Sequence, residues 1–248
     1  MPPLRDRLPD VLGIQRESLE LHRSRIGDPV HDKTGSSTNM GAGAARFVGV
    51  AEFVLNGDAE SFRQLLTESV SLTLALFDRA QASDSVSASY LSLIRYQSVL
   101  DALAVGRFDL ADRFATLLRG RESLDRSQVH KFDRMIAYSL LAVLGHDPNS
   151  ADHTANFIDY CSAKGNQSYT GYAVALDAIR QRDSQLLLDG LNAIIKSHRR
   201  LASSGIFNLK ADELLCVWGL AICNLARHKG LKLDFDHELI PATLMETV

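Results

Sequence analysis

Apolar residues recur every three or four positions along most of the chain, which is the pattern of helices that bury one face. Runs of alternating β-branched residues, which would indicate strands, are missing. The breaks between periodic segments are short and rich in glycine, asparagine and aspartate, as expected for turns between helices. The pattern therefore predicts an all-α fold of about nine antiparallel helices.

A first helix is expected around Leu12–Arg25, and from residue 44 onward the helical period is almost continuous. The segments expected to be helical there are 44–55, 58–77, 85–105, 108–118, 127–144, 152–163, 168–180, 182–201 and 211–230. Because the connections between them are short, consecutive helices should be neighbours in space.

Three of the turns share one order, a tight polar turn followed by a helix with early apolar residues. They lie at Asn56–Asp58, Gly106–Asp109 and Arg182–Asp183. This order is typical of helical-hairpin repeats. Since the intervals between the turns are irregular, we expect stacked, degenerate tetratricopeptide-like hairpins around a shared core rather than a regular solenoid.

Small and polar residues fill the run from Thr34 to Gly43, shortly after Asp28 and Pro29. Such residues bury little apolar surface, so the run is expected to be a mobile loop. A phosphate-binding loop is a less favoured interpretation, because the lysine and the preceding strand of such loops are missing. The chain is accordingly divided into residues 1–43, a helix with a mobile Gly/Ser loop, and residues 44–248, a single helical domain.

The last predicted helix has acidic residues in its first turn and Arg227, His228 and Lys229 in its last, ending at Gly230. Acidic starts and basic ends complement the helix dipole, and glycine suits the helix end. After it, Asp234, Asp236 and Glu238 recur at every second position, with Leu233 and Phe235 among the residues that alternate with them. In an extended tail, such alternation puts the carboxylates on one side and Leu233 and Phe235 on the other. That acidic side is either a solvated face without a role or a rim that contacts a partner, with catalysis the least favoured interpretation.

Composition narrows the functional classes. The chain has 248 residues, 46% of them hydrophobic, and a formal net charge of −3. Neither a basic patch for nucleic acid nor an apolar membrane span is visible, and the N-terminus lacks the apolar core of a secretory signal. The three cysteines, Cys161, Cys216 and Cys223, are few and odd in number, which favours a reducing cytoplasm, and Cys216 and Cys223, seven apart on one helical face, are expected to be small core residues. We therefore expect a cytoplasmic protein that binds no nucleic acid and no membrane.

Catalytic and metal-binding patterns are weak. The two histidines and two aspartates between His146 and His153 surround a helix stop and a cap, so an exposed loop is favoured over a metal site. No HExxH arrangement or G-x-S-x-G elbow occurs. His198, with Arg199 and Arg200 beside it, is expected on a solvated helix face rather than in a functional site. The same two interpretations remain open for Arg95–Gln97. No enzyme activity, cofactor or metal is expected.

Four stretches of the C-terminal third form a recognisable succession. They are Leu191–Arg200, the helix through Trp218–Ala221, the helix end Leu225–Leu231 and the closing Glu238–Pro241. Over roughly residues 185–244 this succession resembles the immunity protein 49 family of bacterial polymorphic toxin systems. Upstream, only a compatible succession of helices is present.

The resemblance implies a cytoplasmic antidote that binds a cognate protein toxin and blocks it by occlusion, without a cofactor. The mildly acidic charge suits a basic, nuclease-type toxin. The expected toxin-binding residues are Asp212, Glu213, Asp234, Asp236 and Glu238. Two other classes remain open: a helical-repeat adaptor or chaperone that binds a peptide or protein, and a helical hydrolase with a composite acidic or histidine site.

Overall fold

The computed structural model describes residues 4–82, 85–120, 122–145, 149–207 and 210–246. Those residues contain eleven α-helices and no strand, which confirms the all-α fold class. The helices are α1 (Leu4–Arg23), α2 (Ser36–Asn56), α3 (Ala59–Gln81), α4 (Tyr96–Ala104), α5 (Phe108–Leu118), α6 (Glu122–Gln128), α7 (Lys131–Leu144), α8 (Ser150–Ser162), α9 (Thr170–Gln181), α10 (Ser184–Ser204) and α11 (Val217–His228). Short 3₁₀ turns lie at Ala88–Leu91, Leu93–Arg95, Gln167–Tyr169, Ala211–Glu213 and Ala242–Leu244.

Helices that are consecutive in sequence mostly pack against each other, as α1 does on α2 and α9 on α10. The main exception is α11, which packs on α4 and brings the C-terminal segment back to the middle of the chain. Most of the apolar residues from α2 to the C-terminal segment form one core, and a smaller apolar cluster joins α1 to α2. The candidate site lies where the C-terminal segment returns to these two regions.

The N-terminal region differs from its prediction in two ways. Helix α1 begins at Leu4 rather than near Leu12, because the buried stripe already includes Leu4 and Leu8. The run expected to be a mobile loop is helical from Ser36 onward, so the proposed boundary at residue 43 falls inside α2. The small residues of the run are covered by the rest of the fold, since Ser37, Thr38, Gly41 and Ala42 are buried.

A buried carboxylate fixes the connection into α2. Asp32 is fully buried and accepts hydrogen bonds from the backbone and hydroxyl of Thr38, at 2.9 and 2.6 Å, and from the backbone N–H of Gly27 at 3.1 Å. Arg79 on α3 donates to the same carboxylate at 2.7 Å and to the Asp32 carbonyl at 2.9 Å. This Asp32 clasp orders the turn before α2, which explains why a loop prediction based on composition is wrong.

The last helix is also shorter than predicted. Ala211–Glu213 forms a separate 3₁₀ turn and α11 begins only at Val217, so Asp212 and Glu213 do not open it. Cys216 and Cys223 are buried as predicted, Cys161 is buried too, and burial raises the pKa of Cys161 and Cys216 to about 12. Thiols of that kind are inert packing groups at neutral pH.

Candidate functional site

The segment after α11 is an extended edge with exposed carboxylates. Asp234, Asp236 and Glu238 are exposed, whereas Leu233 is buried and Phe235 is half-buried. The alternation predicted from the sequence is therefore confirmed. We call Asp234, Asp236 and Glu238 the acidic edge.

Backbone contacts hold this edge on the helices. The N–H of Cys216 donates to the Leu239 carbonyl at 2.8 Å, and His237 and Ile240 exchange hydrogen bonds across a tight turn. Arg227 on α11 donates to the Leu233 carbonyl at 3.2 Å and to the carbonyl of Glu246 at 2.8 Å. The edge is thus fixed near both of its ends.

Asn224 on α11 secures the segment beyond the edge. Its side chain is fully buried; the amide donates at 3.0 Å to the carbonyls of Leu103 and Ala104, and its oxygen accepts from the N–H of Glu246 at 3.0 Å. One side chain therefore caps the end of α4 and ties down the C-terminal segment, which places the acidic edge on a rigid support.

The carboxylates of the acidic edge have no cationic partner within the described ranges of the chain. The one side-chain hydrogen bond found there is from the N–H of Ala242 to Asp236, at 2.9 Å. An unpaired, solvent-facing carboxylate costs little to keep and remains available for a basic group of another molecule.

A cavity of about 440 Å³ adjoins the acidic edge, and we call it the edge cavity. Two of the predicted contact residues, Glu213 and Glu238, line it. Two cations, Arg5 of α1 and Arg199 of α10, line it as well. The apolar part of its wall consists of Phe53, Val54, Ala202, Leu214, Leu215 and Leu239. With mixed charges and an apolar wall, the edge cavity has the make-up of a pocket that receives a side chain of a partner.

His198 also lines the edge cavity, but it is 99% buried rather than on a solvated face as predicted (relative exposure 1%). It packs on Phe207 with ring centroids 5.4 Å apart, and neither ring nitrogen has a hydrogen bond of ordinary geometry. Burial lowers the pKa of His198, outweighing the nearby carbonyls and the charge of Asp212. The ring is therefore neutral at neutral pH, while Arg199 and Arg200 are exposed as predicted.

Asp212 does not belong to the accessible surface, which corrects its expected role as a contact residue. Its side chain is 4% exposed and accepts two hydrogen bonds from Arg46 on α2, at 2.6 and 2.7 Å. The Nε of the same guanidinium donates to both oxygens of Asp101 on α4, at 3.0 and 2.8 Å. We call Arg46, Asp101 and Asp212 the buried triad.

The two carboxylates of the buried triad differ in their proton affinity. Burial raises the pKa of Asp101, and the attraction of Arg46 only partly offsets that effect. Burial would also raise the pKa of Asp212, but Arg46, helped by Lys210, outweighs it and holds the pKa below its ordinary value. The buried triad lines a second cavity, of about 300 Å³.

One feature of the sequence indicates a buried charge in this region, although the apolar periodicity does not reveal it. Asp101 is the lone charge in the apolar stretch Val99–Val105, where a carboxylate is buried only with a partner. Arg46 stands among the small residues at the start of the 44–55 segment. Neither signal says which cation meets which carboxylate, because the partners are far apart in sequence.

Other groups expected to be without chemistry add nothing to these sites. His146, Asp147 and Pro148 lie outside the described residues. In the rest of the predicted histidine loop, His153 packs on Tyr138, with ring centroids 5.9 Å apart. In the part of the chain that the structure describes, no three His, Cys, Asp or Glu side chains converge as a metal ion would require.

No helix within the described residues combines the length and the apolar character needed to cross a membrane. Comparisons with protein-family models, curated proteins and solved structures find no match to the chain.

Proposed function

We propose that the protein is an antidote that binds a cognate bacterial protein toxin and neutralises it by stoichiometric occlusion. It acts by contact alone, without enzyme activity and without a cofactor, in the cytoplasm. The contact residues are Asp234, Asp236 and Glu238 of the acidic edge together with Glu213 in the edge cavity. Asp212 supports this region from within the fold and is not a contact residue.

The observation that carries the proposal is the combination of unpaired carboxylates and a fixed backbone at the acidic edge. Asp234 and Asp236 precede the tight turn and Glu238 lies within it, so the three exposed carboxylates form one short row along the chain. Because the backbone is already ordered, binding does not have to pay the entropy of ordering it. A row of negative charge also accelerates encounter with a basic partner.

The edge cavity could bury a side chain of the partner, which the exposed carboxylates of the acidic edge cannot do. Most binding energy of an interface comes from a few side chains that fill pockets and lose their water. Glu238 belongs to both the acidic edge and the edge cavity. A partner whose basic groups contact the acidic edge could therefore insert one long side chain into the cavity. The resemblance to the immunity protein 49 family supports a protein toxin as the partner.

We also propose that the helices are arranged as irregular stacked hairpins of the degenerate tetratricopeptide-like kind.

The test is co-expression with the C-terminal domain encoded by the adjacent gene. We expect that domain to arrest growth alone, and the full chain to restore growth and to co-purify with it in a fixed ratio. A toxic domain that this chain neither counteracts nor retains on purification would refute the proposal.

The acidic edge is tested by charge reversal in the same pair. In the variant with Asp234→Lys and Glu238→Lys, association should slow by about tenfold or more, because steering by opposite charge is lost. Lys232→Glu, an exposed change on the same segment, is the control and should not slow association. Equal association rates for all three proteins would remove the acidic edge from the contact surface.

A helical adaptor that docks a peptide is the second candidate, and the apolar wall of the edge cavity favours it. A peptide held there would depend on Leu214 and Leu239 more than on the acidic edge. Leu214→Ser would then abolish binding while Asp234→Lys left it intact, which is the reverse of the order expected for a basic toxin.

A further inference from the structure

The second cavity, which we call the triad cavity, is a separate opening among α2, α3, α4 and the segment around Lys210. Its volume of about 300 Å³ suits a small molecule. Polar groups dominate one part of its wall, and Ile94, Phe207 and Trp218 form an apolar part. Mixed walls of this kind hold the body of a ligand by apolar contact and fix its orientation by a few polar groups.

The charges on the wall do not balance. Arg46, Arg95 and Lys210 face two carboxylates, Asp101 and Asp212, so the lining carries one excess positive charge. Both carboxylates are already committed to Arg46, because each of them accepts two hydrogen bonds from its guanidinium. Since one guanidinium balances only one of the two carboxylates, Arg95 and Lys210 together offset the remaining negative charge and leave one positive charge in excess.

Arg95 is the more telling of the two. Its Nε donates to the carbonyl of Tyr90 at 2.8 Å and its Nη2 to the side-chain oxygen of Asn39 at 2.6 Å, both of which are neutral acceptors. No carboxylate among the residues that the structure describes forms an ion pair with it. Burial lowers the pKa of Arg95, so the site holds its positive charge at a cost that an anion would relieve.

Two hydroxyls on the same wall are also unused. Ser69 on α3 and Ser98 on α4 are more than nine-tenths buried, with exposures of 6% and 8%. Neither side chain has a hydrogen bond to any described residue. Because both residues line the cavity, their hydroxyls can donate to or accept from a molecule bound there.

We propose that the triad cavity binds a small organic monocarboxylate. Its carboxylate lies between Arg95 and Lys210, its polar substituents meet Ser69 and Ser98, and its apolar part rests on Trp218. One excess positive charge matches one negative charge. A phosphate dianion is disfavoured, since it would meet the two carboxylates of the buried triad on the same wall.

Trp218 makes the proposal directly measurable, because it is the single tryptophan of the chain and lines the triad cavity. We would titrate the full chain with benzoate, its uncharged counterpart benzamide, and inorganic phosphate, and follow tryptophan fluorescence and heat of binding. Benzoate should saturate in the millimolar range or below, and bind at least about tenfold more tightly than benzamide or phosphate.

The variants separate a binding site from a general effect of the anion. Lys210→Gln changes an exposed side chain and should weaken benzoate binding by about tenfold while leaving the thermal midpoint unchanged. Arg95→Gln should weaken binding further, and Ser98→Ala provides a check that does not alter charge. Lys232→Gln, on the tail, is the matched control and should bind as the wild type does.

The outcomes are decisive in either direction. Saturation by benzoate that depends on Arg95 and Lys210 but not on Lys232 supports the proposal. No saturation by benzoate, equal affinity for benzamide, tighter binding of phosphate, or unchanged binding in Lys210→Gln and Ser98→Ala together would overturn it. None of these results depends on the acidic edge, so the antidote proposal stands or falls separately.

Discussion

The aspartates of the buried triad are paired inside the fold, whereas those of the acidic edge are exposed and unpaired. Asp101 and Asp212 have side chains that are 4% exposed, and their four oxygens all meet Arg46. Asp234 and Asp236 are exposed and pair with no cation among the described residues. The same residue type thus holds the fold where it is buried and remains available to other molecules where it is exposed.

The physical reason for the difference is the solvent. A buried charge has lost its hydration, so removing its partner leaves a large uncompensated cost. An exposed charge keeps its water and contributes little to stability. Substitutions in the buried triad should therefore lower the free energy of unfolding, whereas substitutions at the acidic edge should affect binding to a partner and leave stability nearly unchanged.

Arg46→Met should give the largest loss of stability. The substitution leaves Asp101 and Asp212 buried without their cation, and the loss of one partner in such an arrangement costs about 3–5 kcal/mol. Urea unfolding followed by circular dichroism measures it. The loss should shrink as the pH falls, because protonation removes the unpaired charges. A loss below about 1 kcal/mol at neutral pH would show that the buried triad is not what joins α2 to α4 and the turn at Ala211–Glu213.

Asp32→Ala should come next, at about 2–3 kcal/mol, because the hydrogen bonds that the carboxylate accepts from Thr38, Gly27 and Arg79 are lost. The effect should also be local: amide exchange should accelerate in residues 27–40. Lys33→Ala changes an exposed residue of the same connection and is the control. If both variants exchange alike, the Asp32 clasp is not what orders the start of α2.

The pH dependence of stability should distinguish the buried aspartates from one another. Burial alone would raise the pKa of Asp32, but hydrogen bonds from Thr38 and Gly27 and the charge of Arg79 outweigh it and lower the pKa. A lowered pKa gives stability that is present above the ordinary value of 3.8 and is lost as the pH falls through and below it. Asp101 has the opposite sign: its pKa is raised by burial, so its contribution is lost as the pH rises through the raised value.

The two variants should therefore change the pH profile in opposite directions. Asp32→Asn should make the fall in unfolding free energy on acidification less steep, whereas Asp101→Asn should make it steeper. Unfolding free energies measured from neutral pH down to about pH 3 test this directly. Changes of the same sign in both variants would contradict the assignment.

How far the sequence predicts the molecule depends on the range of the interaction concerned. The period of the apolar residues predicted a helix over 108–118, which is where α5 lies, and the alternation after Gly230 predicted which residues of the acidic edge are exposed. Both are local properties of the chain. The buried triad joins residues 55 and 166 positions apart, and no local pattern specifies such a pair.

The same reason explains the error over residues 36–43. Small residues have little apolar surface of their own, so composition indicates a loop. They become a favourable helix face only when a neighbour approaches and covers them, as at Ser37, Thr38, Gly41 and Ala42, which are buried. That approach is set by the Asp32 clasp and by α3, which the sequence of the run itself does not contain.

The smallest expected effect on stability is at the acidic edge, and it completes the comparison. Asp234→Lys combined with Glu238→Lys should change the unfolding free energy by no more than about 0.5 kcal/mol, because both side chains are exposed and unpaired. Urea unfolding of the isolated protein measures it beside Arg46→Met. A loss as large as that of Arg46→Met would mean that these carboxylates hold the tail on the helices, and the acidic edge would then be a structural feature rather than a surface kept for a partner.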